Sequence, residues 1–356
     1  MANTENIPLR LSVPRLESFI QRAFEAVGIP AAEARTIAEL MVRADVQGSD
    51  GHGVFRLPQY IRRIKGGAVN VTPHIRLVRE AAGMALVDGD NGMGHLVMRF
   101  ATHTAIAKAK QAGIAWVGVR SSNHAGPASL YATMPLEHDM IGLYLAVGNA
   151  NHLPPWGGID MLLSTNPIAV AIPAAEELPV VLDMATTVAA YGKVKTKAQR
   201  GEMMPDGWMI DREGKPLLDP KRANEGFLLP IGGYKGYGLA LVIGLLAGTL
   251  NGAAMGKDVV DFNADDTTPT NTGHVIVAID VAAFHAVAQF KQSVDALVRD
   301  LRHSRTLPGV DRIRLPGEGS HAARAERLDK GIPLPAPLLA SLNQLAIELN
   351  IPPPAA

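Results

Sequence analysis

Apolar residues recur at helical spacing through the first seventy positions or so. Behind Pro14, Leu16, Phe19, Ile20, Ala23 and Val27 fall on one face, and Gly28 closes the segment. The stretch PAAEARTIAELMVRADVQG repeats the pattern, with Pro30 near its start and Gly48 past its end. Together they predict an αα-hairpin that delivers the chain to GSDGHGVFRLPQY, residues 48–60. From about residue 75 the texture changes. HIRLVRE and MALVDGD read as strands joined by a glycine-containing turn, and MGHLVMRFATHTAIAKAKQAG as a helix ending at Gly113. IAWVGVRS is a strand, and NHAGPASLYATMPLEHDM a loop and then a helix. IGLYLAVGN, PIAVAIPA and LPVVLDMAT, short and rich in Val, Ile and Leu, are further strands. A loop-rich run from 201 to 233 precedes an apolar, glycine-striped helix, and HVIVAID returns as a strand. From Val281 the spacing of Phe284, Val287, Phe290, Val294 and Leu297 predicts another helix. The tail is proline-rich and holds one last helix.

The simplest architecture is α/β and discontinuous. Residues 1–74 and 281–356 form a helical domain built from both chain ends, and 75–280 form a mixed α/β domain inserted in it. Short turns between some strands favour a mixed sheet over an all-parallel one.

The striped segment, residues 237–256, carries no charge, and Gly244, Gly248, Gly252 and Gly256 recur every fourth position as in membrane helix pairs. A span needs ~20 predominantly apolar residues. Only 239–250 is strongly apolar, so a buried helix is the better reading, its small residues admitting another helix or a partner subunit. Composition agrees with a globular chain of 356 residues, 47% hydrophobic and 19% charged. Lys plus Arg equals Asp plus Glu at 34 each, which gives no footprint for nucleic acid or an anionic membrane. The absence of cysteine removes disulfides, zinc-thiolate sites, iron–sulfur clusters and thiol nucleophiles. A polar N-terminus without a signal-peptide core fits a cytoplasmic protein.

A dinucleotide fingerprint is missing. GEGSHA, 317–322, matches the G-x-G-x-x-A spacing but lies too near the C-terminus to head a βαβ unit, while GGYKGYG and DGDNGMG miss the spacing. No P-loop occurs, and scattered histidines without H-x-x-x-H spacing argue against a metal site.

Five clusters have chemistry to offer. His52 lies between two glycines, with Arg56 and Tyr60 at four-residue steps behind it. It reads either as a surface turn or as a site for an anionic carbonyl compound, with Arg on the carboxylate and His moving the proton. Arg120 to His124 follow a strand, either as a ligand-binding edge or as a capped turn. Asp183, after three apolar β-formers and before Thr186 and Thr187, is either a helix N-cap or a histidine's partner. Lys235 in a glycine-rich turn before a helix suits an anion such as a cofactor phosphate. In GNANHLPPWGG, His152 reads as structural.

Taken in register, GHGVFRLPQY, SSNHAGPASLYA, PPWGG, STNPIAVAIP, VVLDMATT, LLPIGGYKGYGLAL and RLPGE resemble the type-2 malate/L-lactate dehydrogenase family over most of the chain. That family also holds ureidoglycolate dehydrogenase and the piperideine/pyrroline-2-carboxylate reductases. The resemblance implies NADH or NADPH bound on a non-Rossmann fold, a small carboxylate substrate and a homodimer. It implies His52 as proton donor with Asp183 paired to it, and His124 as a second acid/base candidate. It places Arg56, Tyr60 and Asn149 on the substrate side. Leu182, Met184, Ala185, Thr186, Thr187, Lys235, Gly317 and Glu318 fall in cofactor-contacting segments, and Pro316 opens the last of them. Two positions depart from the pattern: Gly51 stands where serine is usual, and Ala125 where an aromatic residue often follows the histidine. These point to an unusual substrate. The implied reaction interconverts a 2-hydroxy acid and a 2-oxo acid; a cyclic imino acid reductase or another family activity is the alternative. Nothing in the sequence chooses between NAD and NADP.

Overall fold

The computed structural model describes residues 9–355. The chain runs β1 (Leu9–Leu11), α1 (Val13–Glu25), α2 (Ala31–Val46), a 3-10 turn (Val54–Arg56) and α3 (Leu57–Lys65). It continues through β2 (Arg76–Ala81), β3 (Met84–Asp88), α4 (Gly94–Ala112), β4 (Ile114–Ser122), α5 (Ser129–Ala132) and β5 (Met140–Ala146). There follow β6 (Asn151–Leu153), β7 (Leu163–Ser164), β8 (Ile168–Ile172), β9 (Val180–Met184) and α6 (Tyr191–Arg200). Next come β10 (Met209–Asp211), β11 (Gly226–Leu228), α7 (Tyr234–Ala247) and β12 (Thr272–Asp280). The chain closes with α8 (Val287–His303), α9 (Glu318–Lys330), β13 (Ile332–Leu334) and α10 (Ala336–Leu349).

A seven-stranded sheet with order β2-β3-β4-β12-β5-β8-β9 forms the frame. Only β3 and β4 run parallel, joined through α4; the other neighbours are antiparallel, so the sheet is mixed. One βαβ unit therefore exists. Its connecting loop is spent on packing: Asn123 donates from its amide to Asn91 and Gly92 in that loop, at 3.0–3.1 Å.

The helical core joins the two chain ends. Leu16, Phe19, Ile20 and Phe24 of α1 pack in one cluster with Leu57 and Ile61 of α3 and Leu342 and Leu345 of α10. β1 pairs with β13, Leu11 opposite Ile332. Burying a Leu or Phe side chain contributes about 1.5–3 kcal/mol, so this cluster holds α3 firmly.

Several segments differ from the sequence reading. The helix expected at 237–256 ends at Ala247 and is not buried on all sides: Val242 is 52% exposed and Leu245 46%. Its small residues face inward, where a Cβ at Gly244 would meet the Met255 sulfur. The stripe expected on α8 is largely in solvent, with Phe284 70% and Leu297 60% exposed, because the helix docks through Asp295 and Val298 instead. Asp295 accepts the backbone N–H groups of Ala175, Glu176 and Glu177. Finally, the β10–β11 hairpin lies in the run expected to be loop, and α6 and α9 are helices that the sequence reading did not mark.

Candidate active site

Asp45 near the end of α2 sets up the His52 turn. Its carboxylate accepts from the Val54 backbone N–H at 2.8 Å. A Cβ at position 53 would sit 2.0 Å from Asp45 Oδ1, so Gly53 is required there. At Gly51 a Cβ would meet nothing within 4 Å, so a serine would fit; its absence removes a hydroxyl, not a clash. Arg327 of α9 braces the turn by donating to the Asp45 carbonyl and to the Asp50 carboxylate.

His52 stacks on His124, with ring centroids 5.4 Å apart and planes 7° from parallel. Phe262 covers His124 with its centroid 5.0 Å away. The Tyr60 hydroxyl meets His124 Nδ1 at 2.5 Å, and the Gly126 N–H approaches the same nitrogen at 3.4 Å. An N–H needs an acceptor, so Nδ1 is the bare nitrogen, the phenol donates, and the imidazole proton sits on Nε2. Arg56 spans the other side. Its guanidinium donates to Gly51 O at 2.9 Å, Gln59 Oε1 at 2.8 Å and Asn263 Oδ1 at 3.3 Å, and lies 5.2 Å from the Phe262 ring centroid. Asn149 supports this wall: its carbonyl accepts from Phe262 N at 3.0 Å and its amide donates to Thr272 Oγ1.

Crowding by protein lowers the pKa of every imidazole here. Burial, followed by repulsion from Arg56, brings His52 to about 4. His124 is lowered well below the ordinary value by burial, then by His52 and Arg56. His95, wholly buried at the start of α4 and edge-on to Tyr60, is lowered to about 3, and neither ring nitrogen has a hydrogen-bond partner. At neutral pH these rings are uncharged, and burial makes each a weaker base than a free imidazole.

The expected His52–Asp183 pair is not formed. His52 Nδ1 has no hydrogen-bond partner, and Asp183 instead accepts the Ser129 backbone N–H at 2.9 Å. The physical reason is the sheet: β9 is an edge strand that carries Asp183 to α5. The carboxylate's pKa is raised by its surroundings, partly offset by the Ser129 hydrogen bonds. Arg120 to Asn123 turn out to be structural: Arg120 pairs with Asp88 at 3.2 Å, and Asn123 ties down the loop before α4. His152 stacks on Tyr191 at 4.0 Å.

The malate/L-lactate dehydrogenase family profile matches residues 11–343. The chain belongs to the malate/L-lactate dehydrogenase family. It is a dehydrogenase, and its full-length relatives agree. The malate dehydrogenase of Pyrococcus horikoshii is 38% identical over 352 residues, 96% of each chain. The L-sulfolactate dehydrogenase of Methanocaldococcus jannaschii is 36% identical over 324 residues, 91% of this chain and 92% of that one. The solved structure of the Pyrococcus horikoshii enzyme superposes with a TM-score of 0.90 at 35% identity, covering 99% of both chains.

Residues 182–187 run along a strip that two turns border, and such a strip could hold a nucleotide cofactor. Val181 N donates to Pro316 O at 3.2 Å, which seats the turn before α9 against β9. Gly317 in that turn has φ +93°, and a Cβ there would crowd Val181 at 3.1 Å. At the other end, Ile231 N donates to Thr186 O at 3.0 Å and Val188 N to Leu229 O at 2.8 Å. That brings the Gly232–Gly233 turn and the exposed Lys235 onto the same strip. A cavity of about 170 Å³ beside it is lined by Leu182, Asp183, Gly317, Ser320, His321 and Arg324. Open space, a cation and backbone free of side chains suit a phosphorylated nucleotide. Glu318 is turned toward Arg302, 3.3 Å away. Reading from sequence missed His95, Phe262, Asn263 and Lys195; the last three lie in polar or loop segments with no motif to mark them.

Proposed function

We propose that this dehydrogenase interconverts a 2-hydroxy acid and a 2-oxo acid, malate- or lactate-like, with NAD or NADP. The observation that carries the reading is the convergence of His52, His124, Tyr60 and Arg56 in one cluster. When bound, the nicotinamide accepts or supplies the hydride at C2. Arg56 holds the substrate carboxylate through its guanidinium, and Tyr60 shapes the pocket by fixing His124. His52, neutral at pH 7, takes the hydroxyl proton in the oxidative direction and returns it to the carbonyl oxygen in the reductive one. Binding a carboxylate on Arg56 neutralises one of the two influences that lower the His52 pKa, so substrate strengthens the base it needs. His124 stacked beside it is the alternate proton carrier. Asn149 acts on the substrate side through Phe262. Leu182, Asp183, Met184, Ala185, Thr186 and Thr187, with Lys235, Gly317 and Glu318, form the cofactor wall. Asp183 thus serves the cofactor cavity rather than His52.

The exposed apolar face of α7 supports a homodimer, with Leu239, Val242 and Leu245 as the surface covered by a second copy. Sedimentation should give twice the 37.7 kDa chain mass, and Val242→Glu with Leu245→Glu should halve it. Among the described residues, no helix is long and apolar enough to cross a membrane. A cytoplasmic, cysteine-free enzyme acting on small carboxylates fits the whole.

The deciding experiment follows reduced-nicotinamide absorbance with purified protein, NADH and NADPH separately, across 2-oxo acids and cyclic imino acids. Turnover of a 2-oxo acid is expected. Turnover of cyclic imines alone would make the protein an imine reductase with the same residues. Silence throughout would overturn the reading.

A further inference from the structure

His274 is a buried histidine that the reaction above does not use. It lies in β12, the middle strand of the sheet, next to Val275, Ile276 and Val277, and is 2% exposed. An imidazole placed there loses its hydration, and hydrogen bonds on its nitrogens must offset that cost. Both bonds are made. Nε2 lies 3.3 Å from the Asn123 carbonyl oxygen, and Nδ1 lies 2.7 Å from the hydroxyl of Tyr144 in β5. A carbonyl only accepts, so Nε2 carries the proton, Nδ1 is bare and the phenol donates. Burial brings the His274 pKa to about 4, although the bond to Asn123 raises it, so the ring is neutral at pH 7. The strand is shaped for this contact. Its register against β4 shifts between Thr272, opposite Ser122, and His274, opposite Val119, as at a β-bulge that re-aims a side chain. Just ahead of the shift, Thr270 Oγ1 reaches the Ser122 carbonyl at 3.0 Å and the Asn123 side-chain oxygen at 3.2 Å.

The Asn123 carbonyl belongs to the peptide that leads into His124. Tyr60 fixes the His124 ring through Nδ1, but a ring is placed no better than the backbone that bears it. We infer that His274 is a positioning residue for the His52–His124 pair: its Nε2–H clamps the Asn123 carbonyl, and the clamped peptide sets the His124 ring against His52. The inference rests on the reading of these two rings as proton carriers. Tyr144 acts one step further out, donating to Nδ1 and so holding His274 in the tautomer whose proton faces Asn123. Tyr144 also stacks on Tyr131 at 5.5 Å, and the Tyr131 hydroxyl donates to the Ala125 carbonyl at 2.6 Å. The carbonyls of Asn123 and Ala125, the residues on either side of His124, are thus both tied to one buried group of rings.

The test separates the two ends of the imidazole. Glutamine brings an amide N–H to the Nε2 position, and asparagine an amide oxygen to the Nδ1 position. His274→Gln should therefore keep the Asn123 clamp, whereas His274→Asn keeps an acceptor for Tyr144 and loses the clamp. Each variant is measured for kcat on the 2-oxo acid that the wild type turns over best, for the nucleotide KM, for its urea midpoint and for the ¹⁵N-histidine spectrum. His274→Asn should lower kcat ~10-fold or more, as a misplaced reacting group does, shift the His124 resonances and leave the nucleotide KM unchanged. His274→Gln should keep most of the wild-type kcat and leave the His124 resonances in place. Lower urea midpoints in both variants with kcat unchanged in both would mark a merely structural role and overturn the inference, and so would equal losses of kcat in the two. The wild type supplies a check that needs no variant to fold: His274 must appear as the Nε2-protonated tautomer, and the opposite tautomer rejects the clamp. If no 2-oxo acid is turned over, the reading of the reaction fails, and unmoved His124 resonances in His274→Asn still reject the clamp on their own.

Discussion

Removing one oxygen, in Tyr60→Phe, probes the site more cleanly than removing a histidine. The Tyr60 ring is 3% exposed and part of the helical core, so phenylalanine keeps its packing. What goes is the hydroxyl, whose one partner is His124 Nδ1 at 2.5 Å. Burial raises the phenol's pKa, so it is a neutral donor across the working pH range. Without it, Nδ1 keeps only the long Gly126 contact, and a crowded ring nitrogen loses its partner. Leaving such an acceptor unsatisfied costs about 1–3 kcal/mol, and at ~2 kcal/mol the folded-to-unfolded ratio falls roughly 30-fold. The imidazole is also freed to exchange tautomers beneath His52, which should lower kcat by ~10-fold. Urea denaturation reads the first quantity and initial rates the second. Spectra of ¹⁵N-histidine protein read the tautomer directly, with His124 protonated on Nε2 in the wild type and mixed in the variant. An unchanged urea midpoint together with unchanged His124 resonances would refute the hydrogen bond and the tautomer derived from it.

Other outcomes follow from the same geometry. His52→Ala should lower turnover ~10²–10⁴-fold with nucleotide affinity retained; if it stays fully active while His124→Ala does not, the proton passes through His124. His52, His152 and His274 have pKa values near 4 and His95 near 3, against an ordinary 6.5. Each therefore takes its proton first in the unfolded chain. Their contribution is intact above pH 6.5 and is lost as pH falls from there toward 4, by up to ~1.4 kcal/mol per pH unit for each ring. A urea midpoint that is flat from pH 7 to pH 5 would contradict this. Gly317→Ala forces a side chain into a left-handed turn against Val181, costing about 2 kcal/mol and pushing the turn off β9. The nucleotide KM should rise more than the substrate KM, and an equal rise in both would argue against the cofactor wall.

Most elements were legible because their patterns are strong. The α1 face of Leu16, Phe19, Ile20 and Ala23 is buried as its spacing predicts, and HVIVAID lies within the central strand β12. The mixed sheet and the family followed from strands and motifs. The illegible parts have physical reasons. In α6, Val194 is the one fully buried side chain among those described, so its amphipathic signal is faint, and Lys195 went unread with it. On α8 the apolar stripe misled, because the helix docks through a carboxylate that caps a backbone turn, which no hydrophobic period reveals. The pairing of His52 with Asp183 depends on where an edge strand lands in space, and residue spacing carries no such information. Phe262 and Asn263 reach the site from a loop some 200 residues beyond Arg56, the separation recorded for the Arg56–Asn263 contact being 207.

The pairing of β1 with β13 has a consequence for how the enzyme is made. Leu11 finds its partner at Ile332, so β1, the first of the described strands, waits for the last of them. At a synthesis rate of about 5–20 residues per second, that wait lasts roughly 15–65 s. Through it, α1, α2 and α3 lack the α10 side chains that complete their core. The turn bearing His52 likewise lacks Arg327, its brace from α9. The His52 turn thus gains its brace only once α9 is out, while the sheet has all seven strands once β12 emerges. A nascent chain stalled where β12 has cleared the ribosome and α9 has not should hold a folded sheet and no activity.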